Sequence, residues 1–195
     1  MRAAGFDRDE VVEKITDAFW ENGYEATSIG VLETATGLKR QSLYNAFGNK
    51  DSMFEMALDH YHRRVSERII SALDNPDPRE ALRDFFDAQA KILLDQARPS
   101  GCLVAGGQQE LANRNAPLGD VMSGLLCEQH DALAKAFERW KEDGRLSKES
   151  DAESLAAVIM AMLRGQAVIG RSGEAAELVE RAARTMPELL ERYLV

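Results

Sequence analysis

The chain has 195 residues, enough for one large domain or two small ones, and its 45% apolar content can bury a core, which excludes a disordered chain. Its net charge of −9 excludes a protein that coats nucleic acid without selectivity, because that role needs a basic surface. No unbroken apolar run reaches the roughly 18 residues that span a bilayer, and Met1-Arg2-Ala3-Ala4-Gly5 lacks a secretory apolar core, so a cytoplasmic location with no membrane partner is expected.

Apolar residues recur at spacings of three and four from end to end, and nowhere alternate for long, which predicts an all-α fold. Asp7, with Glu10 three residues on, makes a capping box for a first helix over residues 7–22, whose stripe is Val11, Val12, Ile15, Ala18 and Phe19. Gly23 ends it, and Phe6 and Trp20 cover its edges. Thr27 and Ser28 are N-cap residues ahead of Ile29, Leu32 and Ala35, and Gly37 ends this short helix. A second short helix over residues 39–46 is anchored by Leu43 and Phe47 and closed by Gly48-Asn49. Two short helices joined by a glycine-containing turn form a helix-turn-helix that suits the major groove, with the first helix packed across both as a three-helix head. From Leu38 to Lys50 the charged residues are Lys39, Arg40 and Lys50, so this face is locally basic within an acidic chain.

Asn49 caps a long helix to about Leu73 on Met53, Met56, Ala57, Tyr61, Val65 and Ile69, and Asn75-Pro76-Asp77-Pro78 breaks it. A helix over residues 78–97 follows, then a short helix over residues 102–112, straight or kinked, whose apolar run is interrupted by Gly106-Gly107. Pro117 starts an amphipathic helix carrying Val121, Leu125, Leu126, Leu133, Phe137 and Trp140 and stopping near Gly144. Ser150 or Asp151 caps a helix on Leu155, Val158, Ile159, Met162 and Leu163; after Arg171-Ser172-Gly173 a last helix presents Ala175, Leu178, Val179, Ala182 and Ala183, and Pro187 marks a kink or restart. Two copies of these last two helices can form a four-helix, two-fold interface on Ala157, Met160, Ala161, Leu163, Gly165, Leu178 and Val179.

No metal, cofactor or enzymatic site is expected. His60 and His62, two residues apart, diverge on a helix and have no third ligand at metal spacing. The sequence GCLVAGGQ over residues 101–108 lacks the Lys and Ser/Thr of a phosphate loop, and no HExxH or nucleophile elbow occurs. Cys102 and Cys127 are expected as thiols in a reducing compartment.

The stretches DAFWENGYEATSI and TGLKRQSLYNAFGNKDSMF resemble the N-terminal domain of the TetR family of bacterial transcriptional repressors, over about residues 6–54. Phe19, Gly23, Tyr24, Thr27, Ser28, Gly37, Leu43, Tyr44, Phe47, Lys50 and Phe54 carry the resemblance. The chain departs from the family pattern at Glu33, where Ala is usual, and at Lys39, where a small capping residue is usual. The resemblance implies a helix-turn-helix head at residues 1–50 and a larger helical ligand-binding and dimerisation body at 51–195. It also implies that Thr27, Tyr44 and Lys50 grip the DNA backbone.

Lys39, Arg40, Gln41, Ser42 and Asn45 lie on or beside the second short helix, with Arg40 and Gln41 favoured as base readers, since Arg pairs with guanine and Gln with adenine. A homodimer would then set two such helices on successive major grooves about 34 Å apart, facing a near-palindromic double-stranded operator. A small-molecule inducer would occupy a mostly apolar pocket, for which Phe85, Phe86, Gln89, Cys102, Gln108, Phe137, Trp140 and Met162 are candidates. GCL is similar to a subgroup of the family with members that respond to oxidants or electrophiles, so a Cys102 sensor is an alternative and an inert buried thiol the other reading. A helical binding module that has lost DNA binding is the remaining alternative.

Overall fold

In the computed structural model the described residues are 6–111, 114–171 and 176–195. Among them the chain is helical, with one isolated antiparallel bridge between Leu146 and Leu194, so the fold is all-α. Residues Met1-Arg2-Ala3-Ala4-Gly5, Ser172, Gly173 and Ala175 lie outside the described set.

Two compact units are present: the described residues up to Arg63 with Leu103–Met122, and Arg64–Cys102 with Ser123–Val195. This division differs from the expected boundary at residue 50: the first unit runs on through α4 to Arg63 and takes in Leu103–Met122 from far downstream.

The first unit begins with α1 (Arg8–Ala26), capped by the Asp7 carboxylate, which accepts from the Asp9 and Glu10 amides. Its apolar stripe turns inward: Ile15 and Phe19 are fully buried. Gly23 breaks the helix at φ 80°, ψ 175°, a conformation that glycine adopts without a Cβ penalty, and one more turn runs to Ala26. Next come α2 (Ile29–Thr36), α3 (Arg40–Phe47) and α4 (Lys50–Tyr61), the last capped by Asn49. Leu32, Leu43, Met53, Phe54 and Leu58 complete the core with Phe19. Phe54 meets the Phe19 and Tyr24 rings edge-on at 5.0 and 5.1 Å, and Trp20, expected at the edge, is buried against Tyr61 at 4.8 Å. Ala35, expected inside, is exposed.

The head is closed by more than its own three helices. Helix α7 (Leu103–Leu111) packs on α1 and α4. The short helix expected here runs unbroken through Gly106-Gly107: a Cβ on Gly107 would stand 2.7 Å from Met122 Sδ and 2.9 Å from Phe54, so this glycine serves close approach.

The single helix expected from Asn49 to Leu73 is divided. After α4, residues His62–Ser66 make a π turn, Glu67–Ile70 is α5, and Ser71–Asp74 is a 3-10 turn. Apolar residues at a strict spacing of four drift around a 3.6-residue helix by about 40° per step, and a wider turn relieves that drift.

In the second unit, α6 (Pro78–Leu94) packs on α10 (Ala176–Glu191) and α9 (Ala152–Gly170), with the long α8 (Ala116–Glu142) entering this unit from Ser123. Leu82, Phe85, Phe86, Leu133, Phe137, Trp140, Ile159 and Val179 are its buried core. The chain end is tied down: Ser147 donates to the Tyr193 carbonyl at 2.8 Å, and Val195 donates to the Arg145 carbonyl at 2.9 Å. Helix α10 continues through Pro187 without a restart.

By length and mean hydropathy α9 is apolar enough to cross a membrane although no unbroken apolar run is long enough, because its Leu, Val, Ile, Met and Ala residues outweigh the polar positions among them. It buries Ala156, Ile159, Leu163 and Ala167 within the second unit.

Candidate nucleic-acid interface

Ser28 caps α2 by accepting from the Val31 amide at 3.3 Å. At the other end Gly37, at φ 73°, takes the left-handed conformation that lets its amide close back on the Glu33 carbonyl. Thr36 Oγ1 donates to the Leu32 carbonyl at 2.6 Å and accepts from the Leu38 amide at 3.2 Å, fixing the turn into α3. Lys39, at the N-cap of α3, supplies no side-chain cap; Glu33 Oε1 accepts from the Arg40 amide at 2.8 Å instead.

With Leu43 and Phe47 buried, the rest of α3 faces out. Lys39, Arg40, Gln41, Ser42 and Asn45 are all exposed, so the structure brings these five expected contacts onto one accessible surface. Gln41 Nε2 donates to Asn45 Oδ1 at 2.9 Å, which pre-orients both amides. The Arg40 guanidinium lies 5.5 Å from the centre of the Tyr44 ring and donates to its hydroxyl at 3.4 Å. Tyr44 is half-buried and stands under this row.

Lys50, also half-buried, rests its ammonium 4.2 Å above the Tyr24 ring and donates to the Glu25 carbonyl at 3.4 Å. Burial, then a hydrogen bond from the Tyr24 hydroxyl to the Asp51 carboxylate, pushes the Tyr24 phenol far above its ordinary range, so it stays a donor.

Thr27 departs from its expected role. It is fully buried, and its hydroxyl donates to the Gly23 carbonyl at 2.6 Å, closing the broken end of α1; its side chain is not available to a phosphate. Ser28 is the exposed hydroxyl here, and sequence reasoning passed over it as a contact. The available signal was order: the N-cap is the hydroxyl directly before the helix, and the one before it is turned inward.

In the second unit the expected pocket residues separate. Phe85 and Gln89 line a small cavity with Ser66, Ile69, Ile70, Gln129, Leu133, Met160 and Leu163. Phe86, Phe137 and Trp140 are packed core, at most 1% exposed, and Gln108 belongs to the first unit. Met162 and Cys102 are half-buried and do not line the cavity. The Arg164 guanidinium donates to Cys102 Sγ at 3.1 Å and to the Gln129 amide oxygen, so the cavity wall and the thiol share one cation. The cavity holds about 30 Å³, far below the several hundred Å³ of a ligand pocket. Among the described residues no group of three His, Cys, Asp or Glu side chains is placed to hold a metal.

Comparisons with known proteins agree with this geometry. The family described as "Bacterial regulatory proteins, tetR family" matches residues 12–57, and "Tetracyclin repressor-like, C-terminal domain" matches residues 78–186. The HTH-type transcriptional repressor ComR of Escherichia coli K12 is 28% identical over 95% of this chain and 91% of its own length. The repressor DhaR of Mycobacterium sp. GP1 is 26% identical over 81% of this chain and 79% of its own. Among solved structures, a cysteine mutant of the TetR-family regulator CifR, complexed with 26-bp double-strand operator DNA, superposes with a TM-score of 0.85 at 28% identity, covering 94% of this chain and 98% of that one. With an exposed polar row on the second helix of its helix-turn-helix and both family regions matched along its length, this chain belongs to the TetR family of DNA-binding transcriptional regulators.

Proposed function

We propose that the protein is a cytoplasmic, ligand-responsive repressor that binds a near-palindromic operator as a homodimer, with DNA reading assigned to residues 1–50 and ligand binding and dimerisation to residues 51–195. The observation that carries this reading is the exposed row of Lys39, Arg40, Gln41, Ser42 and Asn45 on a capped eight-residue helix, flanked by Tyr44 and Lys50. Arg40 and Gln41 reach base edges, and Lys50, Tyr44 and Ser28 take phosphates.

Dimerisation is supported by an apolar face on α9 and α10: Val158, Val168, Leu178 and Leu189 are about half exposed or more. Ala157, Ala161 and Gly165 are exposed beside them and suit close helix approach, whereas Leu163 and Val179, also expected at the interface, are buried in the subunit's own core and Met160 lines its cavity.

Induction requires the cavity around Phe85 and Gln89 to open, since about 30 Å³ admits little more than a water. A ligand that binds only the opened form shifts the population toward it, and release follows if that form fits the operator poorly.

Mobility shift across a salt series, using DNA that flanks the gene, tests the proposal. A saturable complex that survives competitor DNA and is lost in Arg40→Ala supports it; no sequence-specific complex at any salt overturns it. The Arg164 contact to Cys102 favours a second reading, in which oxidation or alkylation of the sulfur replaces that hydrogen bond and shifts the guanidinium from its place beside Gln129. Operator release by hydrogen peroxide or a reactive aldehyde in native protein but not in Cys102→Ser would support it, and equal survival in both would end it.

A further inference from the structure

Lys50, the proposed phosphate grip, has two partners, and both belong to the dipeptide Tyr24-Glu25: its ammonium lies on the Tyr24 ring and donates to the Glu25 carbonyl. A lysine side chain has four rotatable bonds, so its position is only as fixed as what it leans on. This dipeptide follows the Gly23 break, where the helical hydrogen-bond ladder of α1 is interrupted. It needs outside support.

That support comes from residues nearly ninety positions downstream, in the same compact unit. Glu110, near the end of α7, accepts from the Glu25 amide through Oε2 at 2.8 Å. Its carboxylate seats directly over Gly23: a Cβ there would fall 2.1 Å from Glu110 Oε1. Asn115 donates through Nδ2 to Asp51 Oδ2 at 3.0 Å, and Asp51 Oδ1 accepts from the Tyr24 hydroxyl.

Asn115 is itself anchored twice. Its amide donates to the Leu111 carbonyl at 3.0 Å, and its Oδ1 accepts from the Leu118 amide at 3.4 Å at the start of α8. A third contact, Arg114 to the Glu25 carboxylate at 3.9 Å, joins two exposed groups and contributes little. Both oxygens of the Asp51 carboxylate are therefore occupied, one by Tyr24 and one by Asn115.

We infer that Glu110 and Asn115 are positioning residues for the DNA grip: Glu110 fixes the Glu25 backbone, Asn115 fixes Asp51 and through it the Tyr24 ring, and together they present Lys50 to a phosphate neither residue touches. The inference rests on the reading of Lys50 as a phosphate contact. It makes operator affinity depend on the junction of α7 and α8.

A double-mutant cycle in the full chain tests it, with operator affinity measured across salt. Asn115→Asp keeps a good N-cap for α8 but loses the donor to Asp51 and sets a like charge against it. Expected is a loss of about five- to tenfold in affinity and a salt slope shallower by about one. In a Lys50→Ala background the same substitution is expected to cost nothing further, because the grip it positions is already gone. A purely structural role would instead multiply the two losses, and that outcome overturns the inference, as does an unchanged affinity in Asn115→Asp. If Lys50→Ala alone leaves affinity and slope unchanged, the phosphate reading of Lys50 has failed and the inference falls with it. Should Asn115→Asp fail to fold, Tyr24→Phe keeps the ring and removes the donor to Asp51; its loss must likewise vanish in the Lys50→Ala background, and Glu110→Ala is held to the same requirement.

Discussion

Glu33 and Arg40 are joined across the helix-turn-helix: the Glu33 carboxylate accepts from the Arg40 amide at 2.8 Å and does the work of an N-cap for α3. Lys39, which occupies the N-cap position, makes no such bond. The two departures from the family pattern are therefore one feature. An acid on α2 replaces the small capping residue missing six positions later, at Lys39, and its charge is turned toward the helix start, where the dipole favours it.

Removing that acid should loosen the reading helix. Glu33→Ala is expected to cost about 1 kcal/mol of stability, the usual size of a lost cap, measured as a lower urea midpoint with an unchanged slope. Operator affinity should fall with it. Adding Lys39→Ser in the same chain supplies a local cap and should recover most of the stability; if it recovers none, the Glu33 bond is not acting as a cap.

What the sequence made legible follows the range of the forces involved. The N-cap at Asp7, the Gly37 turn and the buried anchors Leu43 and Phe47 are local, each set within a few residues, and they stand where spacing placed them, although the Glu10 carboxylate of the expected capping box pairs with Lys14 instead. Thr27 and Ser28 are told apart in sequence only by their order before α2; the Gly23 break then supplies the carbonyl that the inward Thr27 hydroxyl meets. The Glu110 and Asn115 contacts join segments nearly ninety and more than sixty residues apart, and no local pattern encodes such a return. Part of the expected pocket lining is core for another reason: Phe86, Phe137 and Trp140 have the helical spacing and size that serve a core equally well, and packing used them there.

The outward row of α3 should separate base reading from support. Arg40→Ala is expected to lose about 1 to 3 kcal/mol of operator binding with relaxed preference at one base pair. Thr27→Val should behave differently: it strands the Gly23 carbonyl in the core and lowers stability by about 1 to 3 kcal/mol, with base preference and salt slope unchanged. Selection from a randomised operator, run beside thermal unfolding, distinguishes the two. A relaxed site in Thr27→Val, or an intact one in Arg40→Ala, would reverse the assignment.

The exposed apolar face predicts the assembly. Leu178→Glu combined with Val158→Glu sets charges at two of its most exposed positions without touching the buried core. A monomeric mass by sedimentation is expected, with helical content retained. Operator affinity should drop about a hundredfold or more as the second head is lost. A native chain that sediments as a monomer at micromolar concentration would remove the homodimer altogether.

Acid stability offers a last test, carried by the caps of α6 and α9. Asp77 accepts from the Arg79 and Glu80 amides, and these bonds hold its carboxyl below the ordinary 3.8. Asp151 is lowered likewise, first by the hydrogen bond from the Ser154 hydroxyl at 2.6 Å and then by that from the Ser154 amide. For a group whose folded value lies below its unfolded one, the charged form is favoured in the native state. Its stabilisation is complete above the unfolded value and is lost as pH falls through the folded one. Replacing both by Asn keeps two good helix caps and removes the ionisation. At neutral pH the double variant Asp77→Asn, Asp151→Asn should unfold at a somewhat lower urea concentration than the native chain. As pH falls from about 4 through the lowered folded values that difference should shrink toward zero, because the native carboxyls then become protonated as well. A difference that stays constant from pH 7 to pH 3 would mean that the two caps act through shape alone, with no part played by their charge.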